Sequence, residues 1–576
     1  MKRRTLWIFG FLSVALAVTP QGQAPSSSNI DLAKLMPAGS LVYLESPDFA
    51  ALLSDWNKSA EKKAWLESDD YHVFSRSRLY LRLKEAQEEF AVAAGAPPDM
   101  PLLESIAGSQ SALALYDIGN LEFLYVTRLP TARAMDSLLA RGKEKFEPRK
   151  VADFAYYVHT EPAKHRVVAF AAANDYLLLA TREDLLAGAL SALAGKPMRT
   201  LAEEPWFTNA SAAAAARPGD LRLALNLASL MKAPHFRSYW IQRNIPALRQ
   251  YNAEIADVYR SPDAIREERV LLRSTAESAA EPATPDESAV AGLLRLVPDD
   301  SGLYRAWTAP STEQALDLLR QKVLSPAVGP GVPSTYAPSV MLTEGQTGSE
   351  QDLETRIDIP PLTGTEGNFE PAALKKLLAD AKLVGGLQLE SAREMPGGAF
   401  AGTQSAIVLE AAADWNAEAA RAALLSSVAG LWTTSGLGAQ WVERGTGDTA
   451  HFELDGLAPL AMALRGKLLI VGSGSSPVVA VLANLSKAPG RDGGVYAAGF
   501  RHATERAPLI KMTRLIETPL AQQFGGGQAT AGHEPWFFSE NLGGLSDALA
   551  SVQSESVVVH DRGAVVSQTV VYRLRR

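Results

Sequence analysis

The sequence predicts an α+β protein of two tandem duplicated domains, each a mainly antiparallel β-sheet with helices packed on it. Residues 174–193 align without a gap on residues 466–485, and residues 32–43 align in the same way on residues 293–304. Two such matches at different offsets favour an internal duplication over chance. Short turns between consecutive apolar strands add the third observation, because parallel strands need long crossovers.

The longer match reads as a strand, a turn and a helix. Residues 177–179 fall on 469–471, and both are apolar runs that are short enough for buried strands. We expect Asp184 and Ser476 to accept hydrogen bonds from free amides at the helix start, with Pro477 at the first helical position. Apolar residues then recur at i, i+4 and i+7, so one helix face enters the core of each half.

The remaining elements of the first half follow from periodicity and turn signals. Residues 111–116 and 122–128 flank a short turn and predict a hairpin. Helices are predicted at residues 49–56, 79–90 and 131–145, and further strands at 154–159, 166–172, 221–227 and 263–272.

The second half repeats this order with more irregularity. Residues 556–560 and 565–572 surround Asp561-Arg562-Gly563, a strong signal for a C-terminal hairpin. Helices are predicted at residues 311–324 and 416–427, and strands at 406–409, 460–464 and 495–500.

Composition suggests the domain boundaries. A linker rich in Ala, Glu, Ser and Pro at residues 275–290 separates a first repeat, 25–274, from a second repeat, 291–576. The second repeat carries a Pro- and Gly-rich insertion at 325–369, which we expect to be a solvated loop; a lid or a partner-binding arm is the alternative.

The N-terminus has the pattern of a secretory signal peptide over residues 1–24. A basic start precedes an uncharged, mostly apolar run at residues 6–18, which is shorter than the roughly 20 residues of a membrane-spanning helix. Cleavage is expected after Ala24 or Ala17, and retention as an anchor is the alternative. Both outcomes place the body outside the cytoplasm, in the periplasm, at the outer envelope or secreted.

Composition and charge exclude several classes of protein. The 576 residues are 47% hydrophobic and 21% charged, which is typical of a globular protein. Without cysteine, the chain has neither disulfides nor a thiolate metal site. Loss of residues 1–24 leaves 53 basic and 64 acidic residues, a formal net charge of −11, and this charge disfavours nucleic acid and anionic membranes as partners.

Sequence motifs for catalysis, metals and cofactors are missing, so we predict no cofactor and no metal site. His533-Glu534 lacks the second histidine of H-E-x-x-H. Residues 472–476, Gly-Ser-Gly-Ser-Ser, have the wrong spacing for a G-x-S-x-G elbow. Gly329-Pro-Gly331 lacks the third glycine of a dinucleotide-binding loop.

Two stretches carry candidate binding residues. Glu45, Asp48 and Asp55 concentrate carboxylates after the first strand; Asp48 most simply caps the next helix, and paired catalytic acids are the alternative. Residues 235–243 mix aromatic rings with arginines, as a ligand-facing surface does, or else form a helix that buries its rings. The candidates in this second stretch are Arg237, Tyr239, Trp240 and Arg243.

Residues 35–55 and 111–129, together with residues 174–190, resemble secreted bacterial proteins classed under domain of unknown function 3352. The resemblance covers most of the first half and extends weakly to the second. It implies an exported protein of unassigned role, and it brings no catalytic residues.

These observations predict an exported, non-catalytic protein that binds an envelope protein, or another extracytoplasmic partner or ligand, through its paired domains. The alternative is an extracytoplasmic hydrolase of unrecognised type that uses carboxylates near Glu45 and Asp48. A deep pocket with convergent acids near Glu45 would favour the enzyme, and a shallow groove between the halves would favour binding.

Overall fold

The computed structural model describes the greater part of the chain. The described residues are 31–59, 78–162, 166–233, 248–274, 287–324, 371–394, 401–432, 440–454, 460–489, 493–508 and 552–575, with isolated positions 62, 66, 71, 75 and 76. The predicted signal peptide, the insertion at 325–369 and most of the predicted linker lie outside them.

The protein is α+β with antiparallel pairing, as predicted. Its strands, numbered along the chain, are β1 (Val42–Ser46), β2 (Ser111–Asp117), β3 (Glu122–Arg128), β4 (Glu147–Val151), β5 (Phe154–Glu161), β6 (Arg166–Ala173), β7 (Tyr176–Ala180), β8 (Leu221–Leu225), β9 (Tyr251–Ser261), β10 (Ala264–Arg273), β11 (Leu303–Thr308), β12 (Leu383–Glu394), β13 (Ala401–Ala411), β14 (Trp441–Arg444), β15 (His451–Leu454), β16 (Leu460–Arg465), β17 (Leu468–Gly472), β18 (Tyr496–Phe500), β19 (Val552–Asp561) and β20 (Val565–Leu574).

The helices lie between these strands along the chain and are numbered separately. They are α1 (Phe49–Lys58), α2 (Arg78–Ala94), α3 (Met100–Ile106), α4 (Thr131–Met135), α5 (Leu138–Arg141), α6 (Glu183–Leu193), α7 (Pro205–Ala213), α8 (Leu227–Leu230), α9 (Glu287–Leu294), α10 (Thr312–Leu319), α11 (Ala372–Ala381), α12 (Ala417–Trp432) and α13 (Ser475–Leu482).

The chain clusters into two compact units. Unit 1 comprises Met1–Pro285, Glu394–Ala401 and Gly494–Arg576, and unit 2 comprises Asp286–Arg393 and Gly402–Gly493. The first junction falls inside the predicted linker. Residues 494–576, which the sequence groups with the second repeat, cluster with unit 1 because β20 pairs with β10.

Unit 1 is built on one antiparallel sheet. Its order over the described residues is β4-β5-β6-β7-β3-β2-β1-β8-β9-β10-β20-β19-β18. Alternation along each strand gives the sheet two faces. Tyr43, paired with Ala114 and Ala224, marks the first face; Leu44, paired with Leu113, marks the second.

Both faces of the unit 1 sheet are covered by helices. The first face packs against α6, where Leu186 and Leu190 are buried. The second face packs against α2 and α3, and it buries Phe90, Leu102 and Phe170. Burial of each such side chain stabilises the fold by roughly 1.5–3 kcal/mol.

Unit 2 has a smaller antiparallel sheet. Its strands pair in the order β14-β15-β16-β17-β13, and β11 pairs with β12. Leu319 of α10, Leu378 of α11 and Leu424 of α12 pack in its core.

The two segments that align in the sequence, which contain β7 and β17, have equivalent neighbours in their sheets. Ala180 of β7 pairs with Leu124 and with Ala169. Gly472 of β17, its counterpart in the alignment, pairs with Ala406 and Ala461. Each hairpin therefore has one further strand on the same side, in the same register. This agreement supports the duplication, which itself stays a prediction.

A side-chain contact also recurs just after these strands. The Thr181 Oγ1 accepts from the Phe123 amide at 2.9 Å, and the Ser473 Oγ accepts from the Ser405 amide at 2.9 Å. In both units a short hydroxyl side chain thus joins the strand-to-helix turn to the neighbouring strand.

The predicted helix starts at these turns are wrong by two residues, because Arg182 and Gly474 are the N-cap positions. Helix α6 begins at Glu183 and α13 at Ser475, so Asp184 and Ser476 lie in the first turn and Pro477 at its third position. Neither helix has a side-chain cap. The Asp184 carboxylate is instead bound to the Arg182 guanidinium, at 3.0 Å from Nε.

The helix predicted at 131–145 is also wrong, because three short pieces replace it. Helix α4 ends at Met135, with Asp136 as its C-cap residue, and the Ser137 Oγ accepts from the Ala140 amide to begin α5. Gly142 ends α5 before a short 3-10 turn, Lys143–Lys145. Serine and glycine therefore interrupt a periodicity that alone favours one helix.

Candidate functional site

Unit 1 contains an apolar cavity between the second face of its sheet and helices α1, α2 and α3. Its volume is about 560 Å³. The sheet side consists of residues of β1, β2, β3, β6, β7 and β8, and the helix side carries Phe49, Leu83 and Leu102. Gln87 of α2 also lines the cavity, and it is exposed to solvent.

Aliphatic and aromatic side chains dominate the wall. They are Leu44, Phe49, Leu52, Leu83, Phe90, Leu102, Leu103, Ile106, Leu113, Leu121, Phe123, Tyr125, Leu179 and Leu221. Such a lining favours an apolar occupant over water, because water needs two or more polar partners in a cavity.

Arg166 is a cavity-lining cation that already has partners. Its Nη2 donates to Glu89 of α2 at 2.6 Å, and its Nη1 donates to the Asn120 carbonyl at 2.6 Å. Arg82 of the same helix donates to the Gly119 carbonyl at 3.0 Å. Two arginines therefore fasten α2 to the β2–β3 turn and to β6 at the border of the cavity.

The hydroxyl groups at the α3 end of the cavity are also hydrogen-bonded. The Tyr125 Oη donates to the Ile106 carbonyl at 3.2 Å, and burial raises the pKa of this tyrosine. The Ser111 and Thr127 hydroxyls lie 2.6 Å apart, and the Thr127 Oγ1 accepts from the Gly108 amide. Because these hydroxyl groups are hydrogen-bonded within the protein, the surface of the cavity is largely apolar.

Glu45 borders the cavity, but its carboxylate belongs to the opposite face of the sheet. Glu45 pairs with Ala112 and shares the first face with Tyr43, whereas Leu44 faces the cavity. The Tyr43 Oη donates to the Glu45 carboxylate at 3.1 Å, and the Gln110 Nε2 lies 3.5 Å from it. Burial raises the pKa of Glu45, although these hydrogen bonds oppose the shift.

Asp48 and Asp55 have separate structural contacts. Asp48 caps α1, because its Oδ1 accepts from the Ala51 amide at 2.9 Å; the capping prediction is confirmed. Asp55 lies 3.9 Å from the Arg260 guanidinium, and burial raises its pKa. Neither aspartate lines the cavity.

The second predicted stretch lies outside the described residues. This applies to Arg237, Tyr239, Trp240 and Arg243 alike. Among the residues that are described, no group of three or more His, Asp or Glu side chains is placed to hold a metal ion.

Sequence periodicity identified one wall of the cavity without revealing the cavity. Leu83, Ala86 and Phe90 lie within the helix predicted at residues 79–90 from its apolar periodicity, and all three line the space. A gap between a helix and a sheet leaves the apolar pattern of that helix unchanged. Only the packing distance between the elements shows that the face is incompletely filled.

Comparisons with known proteins give little further information. No family model matches the chain, and no curated protein matches it. Among solved structures, the chain is similar to crystal form III of TP0453, with 13% identity over 43% of this chain and 81% of that chain, at a TM-score of 0.23. Crystal form I of TP0453 gives 14% identity, the same coverage and a TM-score of 0.22. Scores this low carry no argument about function.

Within the described part of the chain, no helix combines the length and apolar character needed to cross a membrane.

Proposed function

We propose that this is an exported protein whose first unit binds an apolar small molecule, or the acyl chain of an amphiphile. The observation that carries the proposal is the cavity of about 560 Å³ with its aliphatic and aromatic wall. Ligand sites in proteins typically have volumes of about 300–1,000 Å³ and mainly hydrophobic linings. Export rests on the basic and apolar N-terminal pattern.

The charges around the cavity define the chemistry of the ligand. Arg166 is paired with Glu89, and the Glu45 carboxylate lies on the other face of the sheet. A charged group inside the cavity would lose its hydration without gaining a free partner from these residues. The inserted part of the ligand is therefore uncharged, and any polar head lies toward the exposed Gln87.

The same geometry disfavours hydrolysis by Glu45 and Asp48. Paired acid and base carboxylates must both reach the same bond of a substrate. Asp48 caps helix α1 through the Ala51 amide, whereas the Glu45 carboxylate accepts from Tyr43 on the first face of the sheet. The two carboxylates are therefore engaged in different structural contacts. Ligand binding thus accounts for the pocket better than catalysis by this pair.

The test is binding of N-phenyl-1-naphthylamine and of palmitate to the purified full chain, with two tryptophan variants of α2. Leu83 lines the cavity, whereas Leu81 is 59% exposed on the same helix. We expect probe fluorescence to rise with the native protein and palmitate to displace the probe. Leu83→Trp should weaken probe affinity about tenfold or more, because the indole occupies ligand volume and a tenfold loss corresponds to about 1.4 kcal/mol.

Leu81→Trp is the matched control and should bind as the native protein does. Thermal unfolding of both variants checks that neither has lost its fold. Saturable binding that is equal in the two variants would place the ligand elsewhere, and no binding by the native chain would refute the proposal.

A further inference from the structure

Unit 2 contains a hydrogen-bonded serine–histidine pair. The Ser475 Oγ lies 2.8 Å from the His451 Nε2, and the His451 Nδ1 lies 2.8 Å from the Thr449 carbonyl oxygen. A carbonyl only accepts, so Nδ1 carries the proton in the neutral imidazole. Nε2 is then the acceptor, and the serine hydroxyl donates to it.

The position of Ser475 suits a nucleophile. It is the first residue of α13 and follows β17 after a short turn, in which Gly474 has a φ of 132°. Amide groups in the first turn of a helix lack intrahelical acceptors. The Ser476 N–H, next to Ser475, is therefore available to a developing oxyanion, and the helix dipole favours negative charge there.

A second contact fixes the turn that orients the imidazole. The Arg465 Nη2 donates to the Asp448 carbonyl at 2.9 Å and to the Ala450 carbonyl at 2.8 Å. These two carbonyls flank Thr449, whose own carbonyl accepts from His451. Arg465 is thus a positioning residue for the base.

The histidine and the serines of this site differ in their exposure to solvent. His451 is 6% exposed, Ser475 is half-buried and Ser476 is exposed. The base is therefore shielded from solvent, whereas the residue that carries the nucleophile is partly exposed.

Unit 1 has a different pair at the corresponding place. In unit 1, Tyr157 of β5 pairs with Phe170 of β6. In unit 2, Phe452 of β15 pairs with Met462 of β16, the residue that aligns with Phe170. Strands β5 and β15 therefore occupy the same place in the two units. One residue before Tyr157, the Tyr156 Oη donates to Glu183 at 2.7 Å, at the start of α6. An inert tyrosine–glutamate contact can therefore join such a strand to the helix that follows. Unit 2 has a nucleophile and a base in that place.

We propose that Ser475 and His451 form an acyl-transfer site in unit 2 that hydrolyses carboxylic esters. The Ser475 Oγ attacks the carbonyl carbon while the His451 Nε2 takes the hydroxyl proton, and the oxyanion is bound by the Ser476 N–H. Collapse expels the alcohol, which takes the proton from His451. Water then attacks the acyl-serine with the same base, releases the carboxylic acid and restores the hydroxyl.

This site is independent of the ligand cavity and goes beyond the proposed binding function. The spacing of residues 472–476 does not match the G-x-S-x-G elbow, so no sequence motif marks this site. Nucleophile–base pairs recur on unrelated folds and are recognised by geometry.

The test treats the full chain with a fluorophosphonate–biotin probe and with p-nitrophenyl butyrate. We expect one covalent adduct on the tryptic peptide that contains Ser475. Ser475→Ala should abolish the adduct and the hydrolysis. His451→Phe should lower the labelling rate by about 10² or more, the usual contribution of a general base.

Two controls separate chemistry from structure. Ser486→Ala removes an exposed hydroxyl beyond the end of α13 and should label as the native chain does. The double variant with His451→Tyr and Ser475→Glu installs the pair seen in unit 1; it should unfold at a temperature near that of the native protein yet show no labelling. No adduct on the native chain, an adduct at another serine, or undiminished hydrolysis by Ser475→Ala would overturn the proposal.

Discussion

Glu254 of β9 is fully buried, and neither of its carboxylate oxygens has a hydrogen-bond partner among the described residues. Burial raises its pKa from the usual 4.5 to about 7; Arg269 opposes the shift and Glu267 adds to it. Arg269 is already bound to Glu267 through contacts of 2.7 and 2.8 Å, so it supports Glu254 weakly. The ionised form of Glu254 is therefore costly to the fold.

This shift predicts a pH dependence of stability. The folded state holds the proton more tightly than the unfolded chain, so the cost is absent below about pH 4.5, grows between pH 4.5 and 7, and is complete above pH 7. At about 1.4 kcal/mol per pH unit, the total is on the order of 3 kcal/mol. Glu254→Gln should therefore raise the urea midpoint at pH 8 and change it little at pH 4.5.

Glu268→Gln is the control for that measurement. Glu268 lies on the adjacent strand, and its side chain is 34% exposed beside Arg266. Glu268→Gln should change the urea midpoint by the same small amount at pH 4.5 and at pH 8. If Glu254→Gln did not raise the urea midpoint at pH 8, the prediction would be wrong, and the buried carboxylate would be stabilised by a hydrogen-bond partner or by buried water.

At the scale of single elements, helix α1 depends on its cap and forms part of the cavity wall. Phe49 and Leu52 of α1 line the cavity, and Asp48 accepts from the Ala51 amide at its start. Loss of an N-cap typically costs about 0.5–2 kcal/mol, because a helix amide is left without an acceptor.

Asp48→Ala should accordingly destabilise unit 1 by about 1 kcal/mol. It should also raise hydrogen exchange in the first turn of α1. Asp48→Asn retains an acceptor at the cap and should exchange as the native chain does. Equal exchange in the alanine and asparagine variants would contradict the role of the cap.

At the scale of the whole molecule, strands from both ends of the chain build the sheet of unit 1. Strand β10 pairs with β9 on one side and with β20 on the other, and Arg273 at the end of β10 is paired with Asp561 of β19. The C-terminal hairpin is therefore needed to cover the edge of β10. An uncovered apolar strand edge is a site of aggregation.

A chain that ends at Gly493 should lose this cover. We expect it to aggregate on size-exclusion chromatography and to lose amide protection over residues 264–272, which pair with β20 in the full chain. A control chain that lacks only the two arginines after Leu574 keeps β20 and should remain protected. Native-like protection in the longer truncation would show that β10 is stable without its second neighbour.

The sequence predicted much of the local structure because local structure depends on near neighbours. The hairpin of β2 and β3, the C-terminal hairpin and the strand–turn–helix segments all have short-range signals in apolar alternation and turn residues. Strand β4 was not predicted, since its residues Glu-Pro-Arg-Lys-Val are mostly exposed and polar. Strand β9 also went unpredicted, although its central residues are buried.

By itself, the sequence determined the α+β class, the order of most elements and the apolar faces that form the two cores. The tertiary structure decided which strands meet: β20 beside β10, the gap under α2 that forms the cavity, and the hydroxyl of Ser475 beside the imidazole of His451. Such contacts join residues far apart in the chain, and their formation depends on packing summed over many side chains. A pattern read within a short window contains no information about that sum.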